Sequence, residues 1–225
     1  MNVLVTGGSK GIGKSVVEEL IKSDSINKVY ITSRNRNNLK VTSSKVITIE
    51  LDYLRPDWNI DLVKVIGEDT IHVLINNSGY LYNGSIKDTS FEEIDKMVSI
   101  NYTGPFKLVQ LLLDNLKSGK AHIVNIGSMG GFQGSSKFPG LSLYSSSKAA
   151  LANLSECWAE ELKEFGIKSN CLALGAIDTE MLQEAFPRYK ATISSSEIAV
   201  SIVDFALHYS RVINGKVIPL SENTP

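Results

Sequence analysis

Seven short apolar runs, distributed along the whole chain of 225 residues, constrain its fold more than any other feature. Each run is short enough to be a single strand that is buried on both faces of a sheet. The predicted strands are residues 3–5, 28–32, 46–51, 72–76, 122–126, 168–174 and 216–220.

Between most of these strands lie segments in which apolar residues recur at helical spacing. The predicted helices are residues 13–23, 91–116, 144–165 and 197–209, and the less periodic segments 34–44 and 54–70 predict short helices at most. Alternating strands and helices favour an α/β fold, a Rossmann-like doubly wound parallel sheet of about seven strands in three α/β/α layers. Because a single core of this size is common, we expect one domain over residues 1–225.

Composition and charge narrow the class of protein. Hydrophobic residues make up 43% of the chain and the net charge is −1, so no basic surface for nucleic acid is expected. No signal-like leader precedes the first strand, and no apolar run approaches the ~18 residues of a membrane span. These features predict a cytoplasmic protein without a membrane partner. Cys157 and Cys171 lie in apolar segments, which predicts buried reduced thiols rather than a disulfide or metal ligands.

A glycine-rich turn, Thr-Gly-Gly-Ser-Lys-Gly-Ile-Gly at residues 6–13, joins the first strand to the first helix. Glycines let the backbone approach a phosphate closely, and a helix N-terminus favours its negative charge. The turn alone fits a dinucleotide site or a turn that only packs the helix against the sheet. It also fits a nucleoside-triphosphate loop that ends in Gly13-Lys14-Ser15, with Asp52 as the acidic magnesium partner.

Tyr144 and Lys148 are four residues apart in a predicted helix, which places them on one face. Reduction of a carbonyl needs a proton donor for the oxygen, and a phenol whose pKa is lowered by a nearby ammonium can serve near neutral pH. Without further evidence, a tyrosine and a lysine four residues apart on a helix are typical of a surface contact. Ser128 adds weight, because it follows the preceding strand at the edge where open α/β sheets bind ligands.

Amide side chains are expected near the same edge. The fourth strand ends in Asn76-Asn77-Ser78-Gly79, and Asn101 interrupts the predicted helix 91–116. An Asn within a helix is more often solvated or bonded to its own backbone than catalytic. Taken in order and over nearly the whole chain, however, these motifs resemble the short-chain dehydrogenase/reductase family.

The resemblance implies hydride transfer between a nicotinamide cofactor and a carbonyl or alcohol carbon, and it implies no metal. By similarity, Tyr144 is the proton donor or acceptor and Ser128 positions the carbonyl. Lys148 lowers the pKa of Tyr144 and holds the nicotinamide ribose, while Asn101 anchors a water of the proton relay. The candidate cofactor-binding residues are Gly7, Ser9, Lys10, Gly11, Ile12, Gly13, Ser33, Arg34, Asp52, Asn77, Gly79, Tyr144, Lys148, Gly175, Ile177 and Thr179.

The chain departs from the family pattern at three places. Ser78 stands where alanine is usual, and Leu174 replaces a proline, which frees a backbone amide. The segment between Ser128 and Tyr144 is longer than is typical and, like the segment after Thr179, carries apolar residues. These predict either an apolar substrate pocket or packing against one another or a second subunit: Phe132, Phe138, Pro139, Leu141, Leu143, Met181, Leu182, Phe186 and Tyr189.

The end of the second strand bears on the choice of cofactor. An acidic residue about twenty positions beyond the glycine turn normally binds the ribose hydroxyls of NAD, and this chain has Ser33 there. Arg34 and Lys10 add two cations that would attract a 2′-phosphate. The sequence therefore predicts NADP(H), with NAD the less favoured cofactor, and the alternative is a solvated basic patch that includes Arg36 and Lys40.

We therefore expect an NADP(H)-dependent oxidoreductase of the carbonyl reductase type that acts on a small-molecule carbonyl or alcohol. The alternatives are a nucleotide-sugar epimerase or dehydratase, which usually has a larger C-terminal substrate domain, and an NADP-binding regulator without catalysis. An apolar stripe lies on the predicted helix 144–165, through which similar family members pair, so a homodimer or homotetramer is expected. The stripe consists of Leu151, Leu154, Trp158 and Leu162.

Overall fold

A computed structural model describes residues 1–35 and 41–222 of the protein. The strands are β1 (Asn2–Val5), β2 (Lys28–Ser33), β3 (Val46–Glu50), β4 (Val73–Asn76), β5 (His122–Ser128), β6 (Lys168–Leu174), β7 (Ile177–Asp178), β8 (Ile193–Ser194) and β9 (Val217–Leu220). Seven of them form one parallel sheet in the order β3-β2-β1-β4-β5-β6-β9, and β7 pairs with β8. The predicted doubly wound α/β fold is confirmed.

The helices are α1 (Gly11–Leu20), α2 (Ile60–Ile66), α3 (Phe91–Val98), α4 (Gly104–Leu111), α5 (Leu113–Gly119), α6 (Ser142–Glu161), α7 (Glu180–Ala185) and α8 (Ser195–His208). One apolar core includes side chains of α1 and α8, and a second includes side chains of α2, α4, α5 and α6. Val3 and Val5 belong to the first core and Leu4 to the second, because successive side chains of a strand point to opposite faces. The sheet is therefore the middle of three layers.

The order of the strands places the candidate site. The chain winds outward from β1 through β2 to β3, and then crosses to β4 on the other side of β1. Val3 of β1 aligns with Val29 of β2 and with Val73 of β4. Ligands of open α/β sheets bind at such a reversal, beyond the carboxyl ends of the strands. The glycine-rich turn and the end of β4 lie at this edge.

The predicted helix 91–116 is not continuous. A π-helical turn, Ser99–Thr103, separates α3 from α4, and Leu112 separates α4 from α5. Gly104 lies against the ring of Tyr53, since a Cβ there would be 2.7 Å from a ring carbon, and Pro105 has no backbone N–H to donate. Close packing and a missing donor therefore interrupt a segment whose apolar spacing is helical throughout.

The periodicity of apolar residues also did not predict the secondary structure after β6, where the chain forms β7, α7 and β8. Segment 54–70 holds one short helix, α2, as predicted. Residues 36–40, including Arg36 and Lys40 of the alternative basic patch, lie outside the described part of the chain.

The apolar stripe of α6 packs inside the chain, because Leu151, Leu154, Trp158 and Leu162 are all buried. Burial within the chain accounts for the stripe, so it does not by itself argue for a partner. Cys171 is buried as predicted, but the prediction for Cys157 is wrong, since that side chain is exposed on α6. In the described ranges, no helix combines the length and the apolar character that a membrane crossing requires.

Candidate active site

The glycine-rich turn requires glycine at three positions. Gly7 has φ +69° and Gly11 has φ +51°, a region of backbone conformation that other residues rarely adopt. A Cβ on Gly13 would lie 2.2 Å from the carbonyl oxygen of Gly7 and 2.4 Å from Nδ2 of Asn77. These glycines therefore bring the turn close to the end of β4.

Thr6 and Asn77 hold the turn in place. Asn77 Nδ2 donates to the carbonyl oxygens of Thr6 (2.9 Å) and Gly7 (3.1 Å), and Thr6 Oγ1 accepts hydrogen bonds from the backbone amides of Asn77 (3.0 Å) and Ser78 (2.9 Å). Asn77 is a candidate cofactor-binding residue, and the structure shows that its side-chain amide supports the turn.

The N-terminus of α1 suits an anion. Its N-cap residue, Lys10, makes no side-chain hydrogen bond to the helix amides, and the first turn contains no acidic residue. Serine or threonine side chains cap three other helices: Ser90 caps α3, Thr179 caps α7 and Ser194 caps α8. Amides at the start of α1 are therefore available to the phosphate groups of a dinucleotide, as the resemblance implies.

Residues that predict the choice of cofactor lie beside this turn. Ser33 is buried at the end of β2, where its hydroxyl hydrogen bonds with the backbone of Asn35, and Arg34 is exposed. Lys10 Nζ lies 4.0 Å from Glu184 on α7. No acid stands at position 33; Arg34 follows it in the chain, and Lys10 lies in the glycine-rich turn.

Ser128, Tyr144 and Lys148 meet at the carboxyl end of β5. Ser128 ends β5 and accepts a hydrogen bond from the amide of Gly130 (3.1 Å). Tyr144 and Lys148 lie on α6, with Lys148 Nζ 6.0 Å from the centroid of the Tyr144 ring. The lysine is only 4% exposed and donates to the carbonyl oxygen of Ile126 at 2.8 Å.

Burial shifts the pKa of both α6 groups. It raises the pKa of Tyr144, and a side-chain hydrogen bond with Ser128 acts in the opposite direction. It lowers the pKa of Lys148 to about 8. The protein groups alone therefore do not give Tyr144 the lowered pKa that the resemblance implies, because burial has the larger effect and Lys148 donates to Ile126, with its Nζ 6.0 Å from the centroid of the Tyr144 ring.

Asn101 lies in the π-helical turn and is fully buried. Its Oδ1 accepts from the amide of Tyr80 (2.8 Å), and its Nδ2 donates to the carbonyl of Tyr80 (2.9 Å) and to Ser147 Oγ (2.9 Å). A Cβ on Gly79 would lie 3.4 Å from Lys148 Nζ and 3.7 Å from Asn101 Oδ1. Asn101 therefore holds the backbone of Gly79 and Tyr80 against the lysine.

The segment after β6 covers the site. Thr179 Oγ1 accepts from the amide of Leu182 (3.3 Å) at the start of α7, and Ile177 is buried in β7. Leu174, where the family has proline, aligns with Leu220 of β9, and the next amide, that of Gly175, donates to Leu220 (2.9 Å).

One cavity of about 640 Å³ connects these parts. Every candidate cofactor-binding residue lines it, and so do Ser128, Tyr144 and Lys148, whereas Asn101 is not part of its lining. Six of the nine predicted apolar residues line it, namely Phe138, Leu141, Met181, Leu182, Phe186 and Tyr189. Phe132, Pro139 and Leu143 do not. The cavity size is typical of small-molecule sites.

Sequence reasoning missed two residues that shape this cavity. Tyr80 lines it and is held by Asn101, and its position directly after the Asn-Asn-Ser-Gly motif was the available signal. Asn83 bridges the segments around the cavity: its Nδ2 donates to the carbonyl of Ala185 at 3.1 Å. Its Oδ1 would lie 2.2 Å from a Cβ on Gly140. The Asn-Gly pair at residues 83–84 indicates a turn but not this bridge.

Comparison with known proteins supports a family assignment. A family model described as short chain dehydrogenase matches residues 1–190. An uncharacterized oxidoreductase from Thermotoga maritima is 29% identical over 202 residues, which cover 87% of this chain and 78% of that protein.

Two solved structures show the same fold. ElxO with NADP bound has a TM-score of 0.82 at 29% identity and covers 98% of this chain and 96% of its own. A 4-hydroxyisoleucine dehydrogenase mutant complexed with NADH and succinate has a TM-score of 0.87 at 22% identity and covers 100% of this chain and 98% of its own. Similarity to the second structure concerns the fold alone. Proteins of this fold thus bind either nicotinamide cofactor.

Proposed function

The chain belongs to the short-chain dehydrogenase/reductase family of oxidoreductases, and we propose that it transfers a hydride between NADP(H) and the carbon of a carbonyl or alcohol. One observation carries the proposal. A single cavity has the uncapped N-terminus of α1 in its lining together with Ser128, Tyr144 and Lys148. The cavity can therefore bind the phosphate groups of a dinucleotide and hold its substrate beside the residues that transfer the proton.

The side chains divide the chemistry between them. A bound nicotinamide supplies or accepts the hydride. Tyr144 donates a proton to the substrate oxygen in reduction, or takes one in oxidation, and the Ser128 hydroxyl hydrogen bonds with the same oxygen. Burial raises the pKa of Tyr144, which makes the phenol a weaker acid, so proton donation depends on groups that stabilise the phenolate. The charged form of Lys148 stabilises the phenolate left after the proton has moved.

Removing the proton donor tests the chemistry. Tyr144→Phe keeps the ring, so we expect turnover to fall by ~10²–10⁴-fold, as is typical of general acid catalysis, while NADPH binding persists. Tyr209→Phe, on the surface, is the matched control and should leave turnover unchanged. Near-normal turnover in the Tyr144 variant would show that Tyr144 is not the proton donor.

Absence of NADPH oxidation by the unaltered protein would favour a different function. The substrates to screen by NADPH absorbance are aldehydes, ketones, acyl thioesters and keto sugars. Tight NADPH binding without oxidation of the cofactor by any of these classes would favour a regulator without catalysis.

NADP(H) is the proposed cofactor because of the charges at the end of β2 and in the glycine-rich turn. Arg34 and Lys10 can bind a 2′-phosphate, whereas an aspartate at position 33 would repel it. One charge-assisted hydrogen bond contributes roughly 1.5–3 kcal/mol, which corresponds to about a 10- to 150-fold preference for NADPH. The similarity to ElxO, whose structure holds NADP, supports this choice.

The double variant Ser33→Asp with Arg34→Ala tests the cofactor. We expect the ratio of kcat/KM for NADPH to that for NADH to fall by at least ~10-fold relative to the unaltered protein. If the unaltered protein already prefers NADH, or if the ratio does not change, these residues do not recognise the phosphate.

A further inference from the structure

Two segments contribute apolar side chains to the lining of the cavity. Residues 129–143, which link Ser128 to Tyr144, contribute Phe138 and Leu141. The segment that contains α7 contributes Met181, Leu182, Phe186 and Tyr189 to the cavity lining. Because the first segment starts and ends at catalytic residues, its apolar side chains lie where a substrate carbonyl must be held.

Asn83 joins these two segments. It donates to the carbonyl of Ala185, one residue before Phe186, and its side-chain oxygen lies against Gly140. Gly84, the next residue, donates its amide to the carbonyl of Gly140 at 3.0 Å. The aromatic and aliphatic side chains of the two segments therefore face one common space.

The cavity lining offers few cations that could pair with an anionic substrate. Its basic side chains, among the described residues, are Lys10, Arg34 and Lys148. Lys10 lies near Glu184, and Lys148 is buried against the carbonyl of Ile126. Arg34 follows β2, which is three strands from β5 and so about 14 Å away at the usual strand spacing.

The acidic side chains that line the cavity are Asp52, Glu180 and Glu222. They add no partner for an anion. An unpaired carboxylate is strongly disfavoured among apolar groups, whereas a neutral carbonyl compound loses little on entering them.

We propose that the catalytic end of this cavity selects neutral, apolar carbonyl compounds and excludes their carboxylate counterparts. The inference rests on the proposed function, since it assumes that Tyr144 and Ser128 act on a carbonyl oxygen. The inference goes beyond the proposed function, because it assigns the choice among substrates to the segment before Tyr144 and to the segment around α7.

A matched pair of probes tests the inference. Benzoylformamide and benzoylformate share the same aromatic ketone and nearly the same shape, but only the second carries a negative charge. Binding to the NADP⁺-loaded protein is measured by calorimetry, and reduction is measured with NADPH. We expect the amide to bind at least ~10-fold more tightly and to be reduced with at least ~10-fold higher kcat/KM.

A charge introduced into the cavity should reverse this selection. Met181→Lys places an ammonium in the cavity lining, and we expect it to raise the affinity for benzoylformate by at least ~10-fold relative to the amide. Gln183→Lys adds the same charge on α7 outside this cavity lining and should leave the ratio unchanged. Phe138→Lys, in the segment before Tyr144, is the second reversal variant should Met181→Lys fail to fold.

The outcomes separate the two proposals. Preferential binding of the amide without its reduction would support the selection of neutral compounds by the cavity and would contradict hydride transfer to the bound carbonyl. Equal or tighter binding of benzoylformate, no binding of either probe, or the same effect from lysine at positions 181 and 183 would overturn the inference. Reduction of both probes with equal efficiency would overturn the inference and leave the proposed function standing.

Discussion

Replacing Lys148 with methionine should make the protein more stable while it removes activity. The lysine is 4% exposed, and burial lowers its pKa from 10.5 to about 8. A lowering of roughly 2.5 pH units corresponds to roughly 3 kcal/mol, which is the free-energy cost of keeping the buried group charged. Methionine has a similar length and carries no charge.

The gain is smaller than this cost, because the substitution also removes a hydrogen bond. Lys148 Nζ donates to the carbonyl oxygen of Ile126 at 2.8 Å, and losing a partner of a buried acceptor costs about 1–3 kcal/mol. We therefore expect Lys148→Met to raise the free energy of unfolding by about 1 kcal/mol near neutral pH. Turnover should be lost, because the charge that stabilises the Tyr144 phenolate is removed. Functional sites often retain such groups although they reduce stability.

The pH dependence identifies the cause. Below about pH 8 the lysine is charged in both the folded and unfolded protein, so the full cost is present. Between about pH 8 and 10.5 the unfolded chain binds the proton and the folded chain does not, so the stability of the unaltered protein rises with pH. Between about pH 8 and 10.5, the free energy of unfolding of the variant should therefore lose its advantage over that of the unaltered protein.

Urea unfolding from about pH 7 to pH 10 measures this difference, and groups that titrate in both proteins cancel from it. Lys14→Met, an exposed position on α1, is the control and should change stability by less than ~0.5 kcal/mol at every pH. Two results would refute the reasoning: a Lys148 variant destabilised by more than about 1 kcal/mol near neutral pH, or a difference that does not vary with pH.

Two further predictions concern the glycine-rich turn and assembly. Gly13→Ala places a Cβ 2.2 Å from the Gly7 carbonyl oxygen, so we expect it to weaken NADPH binding by at least ~10-fold, and unchanged affinity by fluorescence titration would contradict the packing argument. We also propose a homodimer or homotetramer that uses the face around Phe106, which is 41% exposed on α4 and lies beside Trp158. Light scattering should give a multiple of the 24.6 kDa chain mass, and Phe106→Asp should shift it towards the monomer; a monomeric unaltered protein at micromolar concentration would rule out the assembly.

Much of the fold and the position of the site follow from local sequence. The predicted strand 168–174 has the same bounds as β6, and its apolar half, residues 171–174, is buried as expected for a strand covered on both faces. The glycine-rich turn is predictable for a similar reason, since only glycine tolerates the backbone of Gly7 and Gly11. The spacing of Tyr144 and Lys148 likewise places both residues on one helix.

Only the tertiary structure decided what these residues contact. Apolar spacing marked Leu151 and Trp158 for burial, but packing of α6 determined that they lie inside the chain. Asn101 looked like a member of the catalytic set, yet its side chain holds the backbone of Tyr80, and Asn83 bonds to a residue 102 positions away. Periodicity specifies which side chains leave water. The partner of each one depends on how distant elements approach, and no local pattern contains that information.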